Sequence, residues 1–195
     1  MSRYDHYDAL IFDLDGTLLD SMPAHFAAWQ QTAADFGFSV DESWYHTRGG
    51  SPTLLTAKAL VETLKLDVDP QALGDRKLQH FAGLMEEHLD VLPFAAVARR
   101  YAGKKPMAVG TGTLTNIAVR MLEKSQLLPL FDYVVGADQV AAHKPAPDTF
   151  LRCATLLNVS PEKCLVFEDA QFGIDAAASA GMDVIDVRVT DIGLD

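Results

Sequence analysis

The chain has 195 residues, of which 49% are hydrophobic and 22% charged, with a formal net charge of −11. This suits one well-buried domain, or one domain carrying a smaller inserted one, and excludes a largely disordered chain. With 27 acidic against 16 basic side chains, the balance argues against nucleic acid as the main partner, because that binding relies on basic residues to neutralise phosphates.

The first twelve residues hold no basic segment followed by a long apolar stretch, so no signal peptide is expected. No apolar run approaches the roughly 18 residues of a membrane span. The expected location is cytoplasmic, and without a heptad seam a monomer is the default. Cys153 and Cys164 lie in apolar surroundings without ligand-like spacing and read as core packing.

In chain order, residues 9–13 form a short continuous apolar run with strand character. The interval 18–92 breaks from it and contains no convincing strand. Phe26, Trp29, Ala33 and Phe36 fall on one helical face, Leu54, Leu55, Leu60, Val61 and Leu64 on a second, and Leu78, Phe81, Met85, His88, Leu89 and Leu92 on a third. Strand-like runs then return at 106–111, 133–136, 164–168 and 183–187. Helical patterns intervene at 115–126, 148–157 and 171–180, the last ending at Gly181 as a C-cap. Continuous rather than alternating apolar runs suit strands buried on both faces of a parallel sheet. The expected class is α/β, a doubly wound parallel, Rossmann-like sheet. The helical block is too long for one crossover, so it reads as an inserted cap. Residues 1–17 and 93–195 then form the core and 18–92 the cap, with hinges near 18–22 and 91–94. No sixth strand is expected after 187.

The first strand runs into Asp13-Leu14-Asp15-Gly16-Thr17. Carboxylates at the C-terminal end of a buried strand are costly unless they act there, and that edge is where open α/β sheets bind ligands. Residues two apart in an extended segment point the same way, so Asp13 and Asp15 can address one site. Gly16 lets the chain turn away. Both carboxylates are expected to be exposed at the sheet edge.

This motif resembles the haloacid-dehalogenase superfamily of phosphohydrolases, and three later segments match in order. Val109-Gly110-Thr111-Gly112-Thr113 resembles the phosphate-binding hydroxyl motif. Lys144-Pro145-Ala146-Pro147-Asp148 resembles the third motif as found in the subgroup near β-phosphoglucomutase. Val166-Phe167-Glu168-Asp169-Ala170 resembles the acidic fourth motif, continued by Gly173-Ile174 and Ala180-Gly181. The resemblance implies Asp13 as nucleophile and Asp15 as proton shuttle. It implies Mg2+ bound through Asp13, the Asp15 main-chain carbonyl and Asp169, with Glu168 acting directly or through water. Thr111, the amides of Gly112 and Thr113, and Lys144 would hold the phosphoryl oxygens. By their residues alone, Lys144 also reads as a solvated surface lysine and Thr111 as a plain strand-end hydroxyl. Glu168-Asp169 also reads as an acidic pair favouring a helix N-terminus.

His25, in Met22-Pro23-Ala24-His25-Phe26-Ala27-Ala28-Trp29, resembles the histidine by which the subgroup's cap reaches the active site; packing within a helix is the alternative. Lys77 resembles a cap lysine directed at substrate, or else is an exposed helix lysine. Arg48-Gly49-Gly50-Ser51 resembles the cap's substrate-contacting loop. In the mutases an arginine follows that serine and grips a second phosphate; here the position is Pro52, without charge or donor. This favours a phosphatase over a phosphosugar mutase. The resemblance points to bacterial sugar phosphatases of the fructose-1-phosphatase type, which also act on 6-phosphogluconate, so a small phosphorylated sugar is the expected substrate. Asp15 argues against dehalogenation, and against the long-lived aspartyl-phosphate of transport ATPases, which carry threonine there. A non-catalytic phosphate-binding module is the alternative of another class; binding alone does not require a positioned acid/base.

Overall fold

The structure is a computed structural model and describes residues 2–85 and 89–193. In chain order the elements are β1 (Ala9–Phe12), β2 (Leu19–Asp20), α1 (Met22–Phe36), α2 (Glu42–His46), α3 (Thr53–Leu64), α4 (Pro70–Leu84), β3 (Asp90–Val91), α5 (Ala95–Tyr101), β4 (Met107–Gly110), α6 (Thr115–Lys124), β5 (Tyr133–Val135), α7 (Asp148–Leu157), β6 (Cys164–Glu168), α8 (Gln171–Ser179) and β7 (Asp183–Asp186). Among the described residues, β5-β4-β1-β6-β7 make one sheet whose pairings are all parallel. The expected α/β class is borne out.

The order explains the composition of the strands. β1, β4 and β6 are central and every residue in them is buried, which is why they read as unbroken apolar runs. β5 and β7 are the edges and are partly exposed. Two layers of side chains cover the sheet. One contains Phe12, Met107, Val109, Leu122 and Phe167, with the Phe12 and Phe167 rings stacked at 4.4 Å and 5°. The other contains Ile11, Ala108, Phe150, Cys153, Cys164 and Val166. Both cysteines are free and buried, as the packing reading expects.

The helical interval has its own apolar cluster of Trp29, Tyr45, Ala57, Leu60 and Leu73. It is not strand-free, contrary to expectation. β2 pairs antiparallel with β3, Leu19 opposite Val91 and Asp20 opposite Asp90, and the Leu92 amide donates to the Leu18 carbonyl. The segments near 19–20 and 90–91 thus form one short ribbon. Two residues per strand are too few to produce a periodic signal. The short helices α2 and α5 escape the hydrophobic periodicity for the same reason. The third helical face was expected to start at Leu78, but α4 begins at Pro70, with Asp69 accepting from the Gln71 amide as its N-cap. His88 lies outside the described residues. Phe36 and Leu64 sit at the ends of their expected faces, each the last residue of its helix, and are exposed. Among the described residues no helix is long and apolar enough to cross a membrane.

Phe167 is fully buried between Phe12, Tyr4 and Phe94. Phe167→Ala is expected to lower unfolding stability by about 3–5 kcal/mol, read as a fall in urea midpoint at unchanged m-value.

Candidate active site

The sheet order brings the expected residues together at the C-terminal edge of β1, β4 and β6. Asp13 extends β1 by one bond, its amide donating to the Phe167 carbonyl at 2.9 Å. Lys144, from the segment between β5 and α7, places Nζ 2.6 Å from Asp13 Oδ1 and 2.6 Å from Glu168 Oε1. All three side chains are buried: Asp13 and Lys144 are 3% exposed and Glu168 is 0%. The expectation of an exposed Asp13 is corrected here. A charge can be held inside this edge because Lys144 arrives to pair with it.

Glu168 Oε2 accepts from the Ala170 amide at 2.7 Å, and the Thr17 hydroxyl donates to Asp169 Oδ1 at 3.2 Å. Carboxylate oxygens of Asp13, Glu168 and Asp169 lie within 4.8 Å of one another. One buried ammonium faces three carboxylates, so the cluster carries excess negative charge. Burial, reinforced by Glu168, pushes Asp169 up to about 7. Burial also raises Asp13 well above the usual carboxylate range; Lys144 opposes this, and Glu168, Asp169 and Asp15 add to it. Lys144 is held above its ordinary value, burial being outweighed by Asp13 and Glu168. Hard oxygen donors with uncompensated charge fit a divalent ion of the Mg2+ type, which would relieve that repulsion. Two glycines make room for the cluster. A Cβ on Gly16, at φ +91°, would meet Asp169 Oδ2 at 2.3 Å, and one on Gly173 would meet Glu168 Oε1 at 1.7 Å.

Asp15 sits in a separate net of donors. Its Oδ1 accepts from the Ser21 hydroxyl at 2.6 Å and lies 3.1 Å from His25 Nε2; its Oδ2 accepts from the Thr111 hydroxyl at 3.1 Å and the Thr113 hydroxyl at 2.8 Å. Its side chain is 16% exposed, so it too is more enclosed than expected. Burial acts to raise its pKa, but His25, Ser21 and Thr113 together hold it well below the carboxylate range. His25 Nδ1 is 2.6 Å from Lys77 Nζ, and its ring stacks on Phe81 at 3.9 Å. A neutral ring with its proton on Nε2 satisfies both neighbours, donating to Asp15 and accepting from Lys77. Burial and Lys77 lower the His25 pKa in the same sense, and burial lowers Lys77 to about 7.

Asp13, Asp15, His25, Lys77, Thr111, Gly112 and Thr113 all line one cavity of about 40 Å³. Lys144, Glu168 and Asp169 stand behind Asp13. Lys77 is 1% exposed, so the reading as an exposed helix lysine is excluded. The 48–51 loop closes the cavity against the sheet edge: a Cβ on Gly112 would lie 2.5 Å from the Gly50 carbonyl oxygen. In this arrangement the Thr111 and Thr113 hydroxyls are engaged by Asp15, and the Thr113 amide donates to Thr111 Oγ1. Sequence reasoning missed Thr17 and Ser21 as supports of the two carboxylates. Thr17 is part of the first motif and was legible there; Ser21 carries no signal, because only the turn into α1 brings it to Asp15.

Comparison with known proteins agrees with this geometry. A haloacid dehalogenase-like hydrolase family model matches residues 7–181. The chain is 45% identical to the fructose-1-phosphate phosphatase YqaB of Escherichia coli over 186 residues, covering 95% of this chain and 99% of that one. It is 33% identical to a phosphorylated carbohydrates phosphatase of Thermotoga maritima, covering 91% and 83%. Among solved structures, a β-phosphoglucomutase from Clostridium difficile superposes with a TM-score of 0.83 at 26% identity, covering 91% of this chain and 83% of that one. With the motif residues gathered at one sheet edge and a family model matching nearly the whole length, the chain belongs to the haloacid dehalogenase-like hydrolases.

Proposed function

We propose that the chain is a magnesium-dependent phosphatase of small sugar phosphates, such as fructose 1-phosphate or 6-phosphogluconate, working through an aspartyl-phosphate on Asp13. Its family and its phosphatase relatives make it a phosphoric monoester hydrolase. The observation that carries the finer reading is the shared cavity, which Asp13 and Asp15 face from the sheet edge and His25 and Lys77 from the helices. In this reading residues 1–17 and 93–195 are the catalytic core and 18–92 the cap.

Asp13 attacks phosphorus, and the ester oxygen leaves with a proton from Asp15. Asp15 then takes a proton from the water that cleaves the aspartyl-phosphate, releasing phosphate and restoring Asp13. Lys144 holds Asp13 in place and, with Thr111 and the Gly112 and Thr113 amides, stabilises the charge spread over the phosphoryl oxygens. Asp13, the Asp15 carbonyl and Asp169, with Glu168 directly or through water, would hold a magnesium ion, which would supply positive charge against the repulsion between a carboxylate and a phosphate dianion. The low pKa of Asp15 suits the resting state, not the acid. Phosphoryl oxygens that draw the Thr111 and Thr113 hydroxyls away would strip two donors from Asp15, raise its pKa and let it carry a proton. His25 and Lys77 extend the hydrogen-bonded line from Asp15 to the cavity wall. A cavity of about 40 Å³ is far below the roughly 300–1,000 Å³ of small-molecule pockets, so the cap must open to admit a sugar phosphate.

A phosphate-release panel with and without Mg2+ tests the assignment: release from sugar phosphates only with the metal is expected, and release from nucleotides alone would exclude the substrate class. Asp13→Asn is expected to reduce turnover by roughly 10³-fold or more while circular dichroism stays native; normal turnover would exclude the mechanism.

Metal binding is expected to raise the melting temperature in the absence of substrate, by an amount equivalent to about 2.7 kcal/mol at a hundredfold excess over Kd. Chelator should reverse the gain, and Asp169→Asn should abolish most of it.

Lys77 is charged in the unfolded chain up to its ordinary 10.5 but in the folded chain only below about 7. The cost of its burial is therefore complete below about pH 7 and fades as pH rises toward 10.5. Lys77→Met is expected to be more stable than the parent at pH 6 by on the order of 2 kcal/mol, with the difference shrinking toward pH 10, as followed by denaturant titration.

A further inference from the structure

Two cavities reach the acidic cluster. The one of about 40 Å³ is lined by Asp13 and Asp15 but not by Asp169. A second, of about 300 Å³, is lined by Asp169 and Ala170 just after β6, by Phe172 at the start of α8 and by Arg188, but not by Asp13. Met22 and Gly49 line both. Asp169, less buried than Asp13 and Glu168, thus borders a space that the reacting aspartate does not. Among the described residues lining that space, Asp169 is the one carboxylate and Arg188 the one permanent cation.

The sheet puts Arg188 there. Where β6 pairs with β7, Asp186 stands opposite Glu168, and the Val187 amide donates to the Glu168 carbonyl at 2.9 Å. The chain then carries Arg188 past the end of β6, where Asp169 leaves the sheet. Asp186 holds its guanidinium as a fork: Oδ1 accepts from Arg188 Nε at 2.8 Å and Oδ2 from Nη2 at 2.6 Å. The two side chains are 48% and 26% exposed, and a surface pair of this kind adds little to stability. What the pair fixes is the position of a charge. Arg188 is held above its ordinary value first by hydrogen bonding to Asp186; burial opposes this, and the charges of Asp186, Asp169 and Glu168 add to it. Coulombic interaction is mutual, so the acidic cluster feels the guanidinium in turn.

We infer that Arg188, held by Asp186, tunes the metal site from outside: its charge opposes a cation at Asp169 and keeps a divalent ion exchangeable. The inference rests on the metal-dependent reading above and adds to it a residue that does not coordinate the ion. Three carboxylates set against the Lys144 ammonium alone would hold a dication tightly. A further positive charge beside Asp169 lowers that attraction, and the Asp186 carboxylate offsets part of the lowering. Arg188 and Asp186 therefore act on the ion in opposite senses. As an ion pair they would act on the fold in the same sense, so the two roles separate by sign.

The test measures Mn2+ binding to the full chain without substrate, through loss of the free ion's electron paramagnetic resonance signal. Mn2+ shares magnesium's preference for carboxylate and carbonyl oxygens. At low salt, Arg188→Gln is expected to tighten binding by about threefold and Asp186→Asn to weaken it by about as much, with the double variant returning near the parent. Arg188→Lys, which keeps the charge, should stay near the parent. Both ratios should shrink toward one in about 1 M salt, where the screening length falls to about 3 Å. Repulsion scales with the charge of the ion, so the gain in Arg188→Gln should be larger for Tb3+ than for Mn2+. Single variants that shift binding in the same direction overturn the inference, because that pattern marks a merely structural ion pair. So does an Arg188→Lys variant that behaves as Arg188→Gln does. A parent that takes up no Mn2+ overturns the metal-dependent reading as well, whereas sound binding that is unmoved across the variants overturns the role of Arg188 alone.

Discussion

The site depends on one buried contact, Lys144 between Asp13 and Glu168 at 2.6 Å each. A carboxylate at the end of a fully buried strand is expensive, and two side by side more so. The ammonium makes that edge tenable and at the same time aims Asp13 into the cavity. Other features follow from it. Glu168 must turn one oxygen to Lys144 and the other to the Ala170 amide, which sets where α8 begins. Gly173 has no side chain because Glu168 occupies the space. The pairing is incomplete, since Asp169 adds a third carboxylate to the two that Lys144 pairs with. The protein is built with a charge deficit at the place where a divalent ion fits.

Asp15 is governed by the opposite balance. Its donors come from both parts of the molecule: Thr111 and Thr113 from the loop after β4, Ser21 and His25 from the start of the helical segment. The same carboxylate therefore joins the loop after β4 to the start of the helical segment. It is also held by hydroxyls that a phosphoryl group would claim. Two aspartates two residues apart on one strand end are thus driven in opposite directions by their surroundings, one pushed up in pKa by burial among carboxylates and the other held down by donors.

The likeness to a β-phosphoglucomutase at a TM-score of 0.83 and to sugar phosphatases shows one scaffold serving distinct outcomes. The fold is common ground. The rest of the cavity wall is drawn from the helices and the 48–51 loop, including Arg48 and Lys77.

The sequence by itself determined the α/β class, the five strands of the parallel sheet and the identity of the carboxylates. Burial on both faces writes a continuous apolar run, and a charge at the end of such a run stands out against it. It also carried Lys144 and the acidic pair, through their resemblance to a known motif order. Only the tertiary structure decided that Asp13 is enclosed, that Ser21 supports Asp15 and Thr17 supports Asp169, that Lys77 is a buried amine beside His25, and that β2 pairs with β3. These facts rest on contacts between residues far apart in the chain, or on elements of two residues, and periodicity has no means of recording either. The cavity that Asp169 and Arg188 share is the extreme case: it is defined by everything around it, and it exists only once the chain has folded.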